Sequence, residues 1–142
     1  MNKQEILLLS LSGGYKFSPV QVQKLLFLVD KNLPSTAGAP FFNFQPYDYG
    51  PFDKDIYLEL EKLSKDGLVE IYHDTFLSHR LYALTPQGCK KAQELTEKFD
   101  EKNVDYIKKL SEFVRGLSFR DLVSAIYKAY PETKVNSVFA ES

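Results

Sequence analysis

The side chains that could do catalytic or metal chemistry are few in this sequence. Cys89 is the only cysteine, and a nucleophile would need His73 or His79 as its base. Cys89 falls on the apolar stripe of a predicted helix, which favours a buried structural cysteine. His73, Asp74 and His79 flank one turn, but they supply fewer ligands than a structural zinc site uses. We therefore predict no catalytic residue, no metal and no cofactor.

Composition is typical of one soluble globular domain. The chain has 142 residues, of which 44% are apolar and 26% charged, and it carries a net charge of −1. No apolar run is long enough for a membrane span, and an acid at Glu5 fits no secretory signal. A single cysteine fits a reducing compartment, so we expect a cytoplasmic protein. The sequence contains no phosphate loop and no Gly-x-Ser-x-Gly elbow, which leaves a hydrolase or transferase as the weakest hypothesis.

Capping motifs in the sequence predict where four of the helices begin. Asn2 and Glu5 form one capping-box pattern, and Ser18-Pro19 with Gln21 forms another. Thr85-Pro86 predicts the start of a later helix, and Ser118 predicts the start of the last one. Another helix is expected over Val104–Val114 by apolar spacing.

The periodicity changes from helical to alternating after Gly67. A helix is predicted over Asp53–Asp66, and the alternation then predicts strands at Val69–His73 and His79–Leu84, paired as an antiparallel hairpin. A short strand is predicted earlier, at Phe42–Gln45, followed by a turn in which Pro51 leads into the helix.

This order of elements predicts an α+β fold with a winged-helix core. The core would span residues 1–88, and residues 89–142 would form a C-terminal helical extension of the same single domain. The stretch Leu60–Gly88, with its glycine stop, hairpin and Thr-Pro-x-Gly restart, resembles many bacterial winged-helix proteins.

Two further motifs suggest a narrower kinship. Gln23–Phe27, then Tyr49–Phe52 and a helix with Tyr57, resembles the Panacea domain, a bacterial, often phage- or plasmid-associated family. The likeness covers about residues 18–88. It implies a non-catalytic regulator of antitoxin or proteolysis-adaptor type that binds a partner protein, such as a toxin or a protease component. The segment from Tyr130 to Ser142 lies outside the likeness.

DNA binding is the alternative function, and the local charge disfavours it. The predicted Asp53–Asp66 helix carries three lysines against five acids, and the Asp53–Leu84 stretch has a net charge of −3. A surface that contacts phosphates needs the opposite sign. Arg80, the natural wing contact, is as readily paired with Glu70 across the hairpin. The basic candidates for phosphate contacts are Lys16, Lys24, Arg80, Lys90 and Lys91.

Six aromatic residues lie within twelve positions ahead of the Asp53–Asp66 helix. They are Phe41, Phe42, Phe44, Tyr47, Tyr49 and Phe52. We expect Phe42, Phe44 and Phe52 in the core, whereas Tyr47 and Tyr49 have the rigid body and polar tip favoured at interfaces. The predicted partner-binding residues are Tyr47, Tyr49, Gly50, Pro51, Lys54, Tyr57 and Glu61. Core packing is the alternative for each tyrosine.

Overall fold

The computed structural model describes residues 1–74, 76 and 79–139, and these form an α+β structure. The described residues contain six α-helices and two separate antiparallel sheets of two strands each. In chain order the elements are α1 (Lys3–Ser10), α2 (Pro19–Asn32), β1 (Gln45–Tyr47), β2 (Gly50–Phe52), α3 (Asp55–Lys65), β3 (Val69–Asp74), β4 (His79–Leu84), α4 (Pro86–Lys98), α5 (Glu101–Arg115) and α6 (Phe119–Ala129), with short 3-10 turns at Ser35–Ala37 and Pro131–Lys134. The predicted α+β class is confirmed.

The core is organised around α2, which is buried on nearly every side. All residues from Val22 to Val29 are buried, and the helix contacts α1, α5, α6, β2 and β4. A helix with solvent on one side keeps a polar face, whereas one enclosed by other elements is buried all round. The apolar spacing of Val22, Leu25, Leu26, Val29 and Leu33 predicts only one buried face for this helix. The burial of Gln23 and Lys24 on the other faces is therefore new information from the structure.

The capping residues begin the helices where the sequence predicted. Asn2 Oδ1 accepts the backbone N–H of Glu5 at 2.8 Å, and Glu5 Oε1 accepts the N–H of Asn2 at 3.0 Å. Ser18 forms the same reciprocal pair in α2. Thr85 and Ser118 each accept a backbone N–H in the first turn of α4 and α6. Local hydrogen bonds thus fix these starts independently of packing.

The predicted hairpin is confirmed as β3 and β4, with Val69 opposite Leu84; residues 75, 77 and 78 of its turn lie outside the described ranges. Phe17, between α1 and α2, pairs with Tyr82 of β4 through two backbone N–H···O bonds of 2.8 Å. The connection before α2 therefore adds a third backbone segment beside the hairpin.

The connection between α2 and α3 differs from the prediction. Of the predicted strand Phe42–Gln45, only Gln45 lies in a strand, as the first residue of β1, whereas the Asp30 carboxylate accepts the backbone N–H groups of Phe41 and Phe42 at 2.8 and 2.9 Å. The strands lie further on, as β1 and β2, and Pro51 belongs to β2 rather than to a helical turn. The helix α3 begins only at Asp55.

The β1–β2 hairpin has a two-residue turn, Asp48-Tyr49, since Tyr47 is paired with Gly50. Gly50 has a φ of +104°, a conformation that side chains with a Cβ seldom adopt. A backbone reversal this tight holds the side chains of Tyr47 and Tyr49 at one end of the hairpin.

The helices after residue 88 pack on the first two helices of the chain. α4 contacts α1, α5 contacts α1 and α2, and α6 contacts α2. The segment after α6 then crosses the β1–β2 hairpin: Asn136 Nδ2 donates to Pro46 O at 3.2 Å and Val138 N donates to Asp48 O at 2.9 Å. The sequence predicts no role for this segment, whose residues 140–142 lie outside the described part of the chain.

We expect Gly88→Ala to destabilise the fold by about 3 kcal/mol. A Cβ on Gly88 would overlap the carbonyl oxygen of Leu68 and lie 3.2 Å from Leu84 Cβ, at the junction of β3, β4 and α4. Gly116→Ala is the matched control, because its Cβ would lie no closer than 3.4 Å to the nearest atom at an ordinary φ of −80°. Urea unfolding measures both, and similar stabilities of the two variants would contradict this packing.

Candidate functional site

The candidate site begins with a buried contact between α2 and the end of β2. Gln23 Nε2 donates to Asp53 O at 2.9 Å, and Asp53 N donates to Gln23 Oε1 at 2.9 Å. One side chain therefore satisfies both backbone groups of one residue, as a strand partner would. Asp53 in turn accepts the N–H groups of Asn43 and Asp55, at 2.7 and 2.9 Å, through its carboxylate. This set of bonds fixes where α3 starts relative to α2.

Lys24 lies next to this contact and is buried, with 3% of its surface exposed. Its Nζ donates to Pro51 O at 3.1 Å. Burial lowers the pKa of Lys24 from 10.5 to about 8, since the ammonium is removed from water. Among the described carboxylates none forms an ion pair with it. Lys24 is thus a buried cation held by a carbonyl alone.

A pocket of about 180 Å³ opens between α2 and the β1–β2 hairpin. Its walls are mostly apolar or aromatic, with Lys24 and Gln23 at the α2 side. The lining residues are Val20, Gln23, Lys24, Tyr47, Asp48, Tyr49, Gly50, Phe52 and Tyr57. The structure therefore brings the two halves of the predicted motif, Gln23–Phe27 and Tyr49–Phe52, to one place.

Tyr47 and Tyr49 stand at the surface, with 56% and 43% of their area exposed. The Tyr47 ring stacks on Phe52 at 5.0 Å between centroids, and the Tyr49 ring meets Phe119 edge-on at 5.4 Å. These contacts restrict the two rings while leaving one side of each free. Ordered aromatic rings of this kind bury area on binding with little loss of entropy.

Tyr57 is less accessible than the sequence predicted. Its ring lies between Phe52, at 5.8 Å, and Tyr82, at 6.1 Å, and its burial raises the pKa to about 12. Tyr57 therefore forms a wall of the pocket. The exposed apolar residue of α3 is Leu58, with 51% exposed, and it lies on one face with Lys54 and Glu61. Leu58 was not among the predicted interface residues, although its position off the Ile56–Leu60–Leu63 stripe predicts an exposed side chain.

The acids of α3 are matched by bases around it. Asp55 pairs with Lys3 at 3.6 Å, and Glu59 pairs with Lys62 at 3.4 Å. The Arg80 guanidinium pairs with Glu61 at 3.7 Å, rather than with Glu70, the alternative partner considered across the hairpin. Arg80 lies opposite His73 in the hairpin, whereas Glu70 lies opposite Ala83.

The basic residues proposed for phosphate contacts lie in different settings. Lys24 is buried, so its ammonium is not on a surface that a duplex could contact. Lys16 is exposed and its Nζ lies 4.3 Å from the centre of the Tyr72 ring. Lys91 pairs with Glu94 at 4.0 Å on the exposed side of α4, where Lys90 is also exposed. Cys89, predicted to be buried, is only partly so.

Lys24 should make the free energy of unfolding rise by about 2 kcal/mol between pH 8 and about 10. The folded chain loses the Lys24 proton near pH 8, whereas the unfolded chain holds it to pH 10.5. The unfolded state therefore binds more protons in this window, and raising the pH favours the folded state. Lys24→Met should remove the rise, as measured by urea unfolding at several pH values.

Lys90→Met, at an exposed position on α4, is the control and should keep the rise. Above pH 10 the trend should reverse, because the raised pKa of Tyr57 lets the unfolded chain lose the phenol proton first. An identical pH dependence in the wild type and Lys24→Met would contradict the assignment.

Gln23→Leu should lower the free energy of unfolding by about 2 kcal/mol, because it leaves the buried N–H of Asp53 without its partner and the C=O of Asp53 with the Ile56 N–H, at 3.2 Å, as its described donor. Gln45→Leu is the matched control: its amide bonds only the exposed side chain of Asn43, at 3.2 Å, and the expected change is within about 0.5 kcal/mol. Thermal or urea unfolding compares them, and equal losses would refute the role of Gln23.

Three further findings bear on which function can be assigned to the site. Within residues 1–74, 76 and 79–139, no group of histidine, cysteine, aspartate and glutamate side chains could hold a metal ion. In the same ranges no helix has the length and apolarity of a bilayer span. The chain matches no family model and no curated protein.

Proposed function

We propose that α1, α2, α3 and the β3–β4 hairpin form a winged-helix core, in which β3–β4 is the wing. Two features support this arrangement. The hairpin follows α3 after the single connection at Gly67. The Phe17–Tyr82 backbone pair places the segment between α1 and α2 beside β4, as the first strand of a three-stranded wing sheet would lie.

We further propose that the protein is a cytoplasmic, non-catalytic binding module of the antitoxin or adaptor type. The observation that carries this proposal is the group of exposed apolar side chains on the hairpin and α3, namely Tyr47, Tyr49 and Leu58. Tyr47 and Lys54 line the same surface depression, which joins the hairpin to the start of α3. We call this group, with Lys54 and Glu61, the hairpin–α3 surface.

The charges of α3 favour a protein partner over DNA. Glu61 lies on the face of α3 that a duplex would contact, and it already holds Arg80, the wing residue best placed for a phosphate. Breaking that exposed pair costs little, but it would leave the Glu61 carboxylate against phosphates. An exposed Leu58 at the centre of the face also offers no hydrogen bond to a base edge. The resemblance of Gln23–Phe27 and Tyr49–Phe52 to the Panacea domain also favours a protein partner.

Substitution of the hairpin–α3 surface should weaken binding of the partner. The partner is first captured from the native host by a photo-crosslinking residue at position 47 and identified by mass spectrometry. Tyr49→Ala combined with Leu58→Ala should then raise its Kd by the equivalent of about 2 kcal/mol or more, measured by calorimetry. Both side chains are about half exposed, so the double variant should stay folded.

Tyr106→Ala is the matched control, since Tyr106 on α5 has the same exposed fraction as Tyr49, 43%, and should leave the Kd within about twofold. Equal effects of the control and the double variant would refute the hairpin–α3 surface. Tight binding of a DNA duplex that falls steeply with salt would show that DNA is the partner instead.

A further inference from the structure

The pocket between α2 and the β1–β2 hairpin contains a cation with no described counter-ion. We propose that it binds an apolar residue carrying a free carboxylate, and that the source is the C-terminal residue of the partner protein. The ligand chemistry follows from the pocket itself, whereas its source rests on the proposed function.

The size and walls of the pocket fit one apolar side chain. Its volume of about 180 Å³ is below the roughly 300–1,000 Å³ of ordinary small-molecule sites. Val20, Phe52 and Tyr57 provide apolar or aromatic walls, and the exposed Tyr47 and Tyr49 stand at the same pocket. An aliphatic or aromatic side chain would therefore bury its surface here, while a bare phosphate or acetate would not.

The charge at the α2 side calls for an anion. An ammonium has three N–H donors, and the Lys24 Nζ has one described acceptor, Pro51 O. Its desolvation is offset by no carboxylate, so an arriving anion would gain a charge-assisted hydrogen bond in a partly water-excluded setting. An amide oxygen in the same place would gain less, because it carries no full charge.

Gly50 leaves room beside the ammonium. A Cβ on Gly50 would lie 3.2 Å from Tyr127 Cε1, 3.4 Å from Lys24 Cε and 3.6 Å from Lys24 Nζ, so a side chain there would crowd the end of Lys24. Gly50 lines the pocket itself. Gly50, the residue with the positive φ, therefore lies where a ligand oxygen would approach Lys24 Nζ.

A chain terminus satisfies both requirements with one residue. An internal aspartate or glutamate brings the carboxylate but little apolar surface for the aromatic walls. An internal leucine or phenylalanine brings the apolar surface without the charge. The C-terminal residue of a protein carries both groups on one Cα, which matches a pocket of single-residue size.

The test compares an acid with its amide on the wild-type protein. ¹⁵N-labelled protein is titrated with N-acetyl-leucine and, separately, with N-acetyl-leucinamide, and the amide signals of Tyr49, Gly50 and Phe52 are followed. We expect the acid to bind about tenfold more tightly than the amide and to shift these signals. Equal affinities, or no shift of these signals with either compound, would overturn the proposal.

Two variants assign the preference to the buried cation. Lys24→Met should abolish the difference between acid and amide, while Lys109→Met, at an exposed site on α5, should keep it. Circular dichroism checks the fold of each, and the wild-type comparison stands even where Lys24→Met does not fold. A preference that survives in folded Lys24→Met would overturn the role of Lys24.

The source of the carboxylate is tested with a hexapeptide ending in leucine. Tighter binding of the peptide than of N-acetyl-leucine supports a chain terminus, and equal binding overturns that source in favour of a small free carboxylate. Failure here is distinguishable from failure of the hairpin–α3 surface. If only the chain-terminus source fails, Tyr49→Ala with Leu58→Ala still weakens binding of the captured partner. If only the hairpin–α3 surface fails, N-acetyl-leucine still binds the wild-type protein, while the double variant binds the partner as tightly as the wild type.

Discussion

The paired hydrogen bonds between the Gln23 side chain and the backbone of Asp53 attach the β1–β2 hairpin and α3 to the central helix α2. They join the central helix to the point where β2 ends and α3 is about to begin. The two strands of the β1–β2 hairpin join no larger sheet among the described residues, so side-chain bonds such as these attach the hairpin to α2. The end of the hairpin and the start of α3 therefore meet α2 at this contact.

The buried ammonium of Lys24, next to this contact, lowers the stability of the folded chain. Lowering a lysine pKa from 10.5 to about 8 corresponds to about 3 kcal/mol against the charged form in the folded chain. A methionine of similar length would pack there without that penalty. This cost, beside an accessible pocket, agrees with the proposed binding of a carboxylate there.

The sequence predicted the features that local chemistry determines. Capping residues marked four helix starts, and the change of period after Gly67 marked the β3–β4 hairpin, because such signals depend on neighbours in the chain. The features it missed depend on distant contacts. The Asp30 carboxylate takes the N–H groups that a strand at Phe42 would have used. The burial of Gln23 and Lys24 depends on elements more than twenty residues downstream. Of the predicted interface, Tyr47 and Tyr49 are exposed, whereas Tyr57 is enclosed by two rings that only the tertiary fold brings near.

The segment after α6 crosses the β1–β2 hairpin, so the hairpin–α3 surface is completed only after that segment has been synthesised. Asn136 bonds the carbonyl of Pro46, which lies 90 positions earlier in the chain, and Val138 bonds that of Asp48. Because synthesis runs from the N-terminus, the hairpin emerges from the ribosome long before the segment that secures it. A nascent or prematurely terminated chain therefore lacks the finished surface. A partner that recognises this surface would distinguish chains that include residues 136–138 from chains that stop before them.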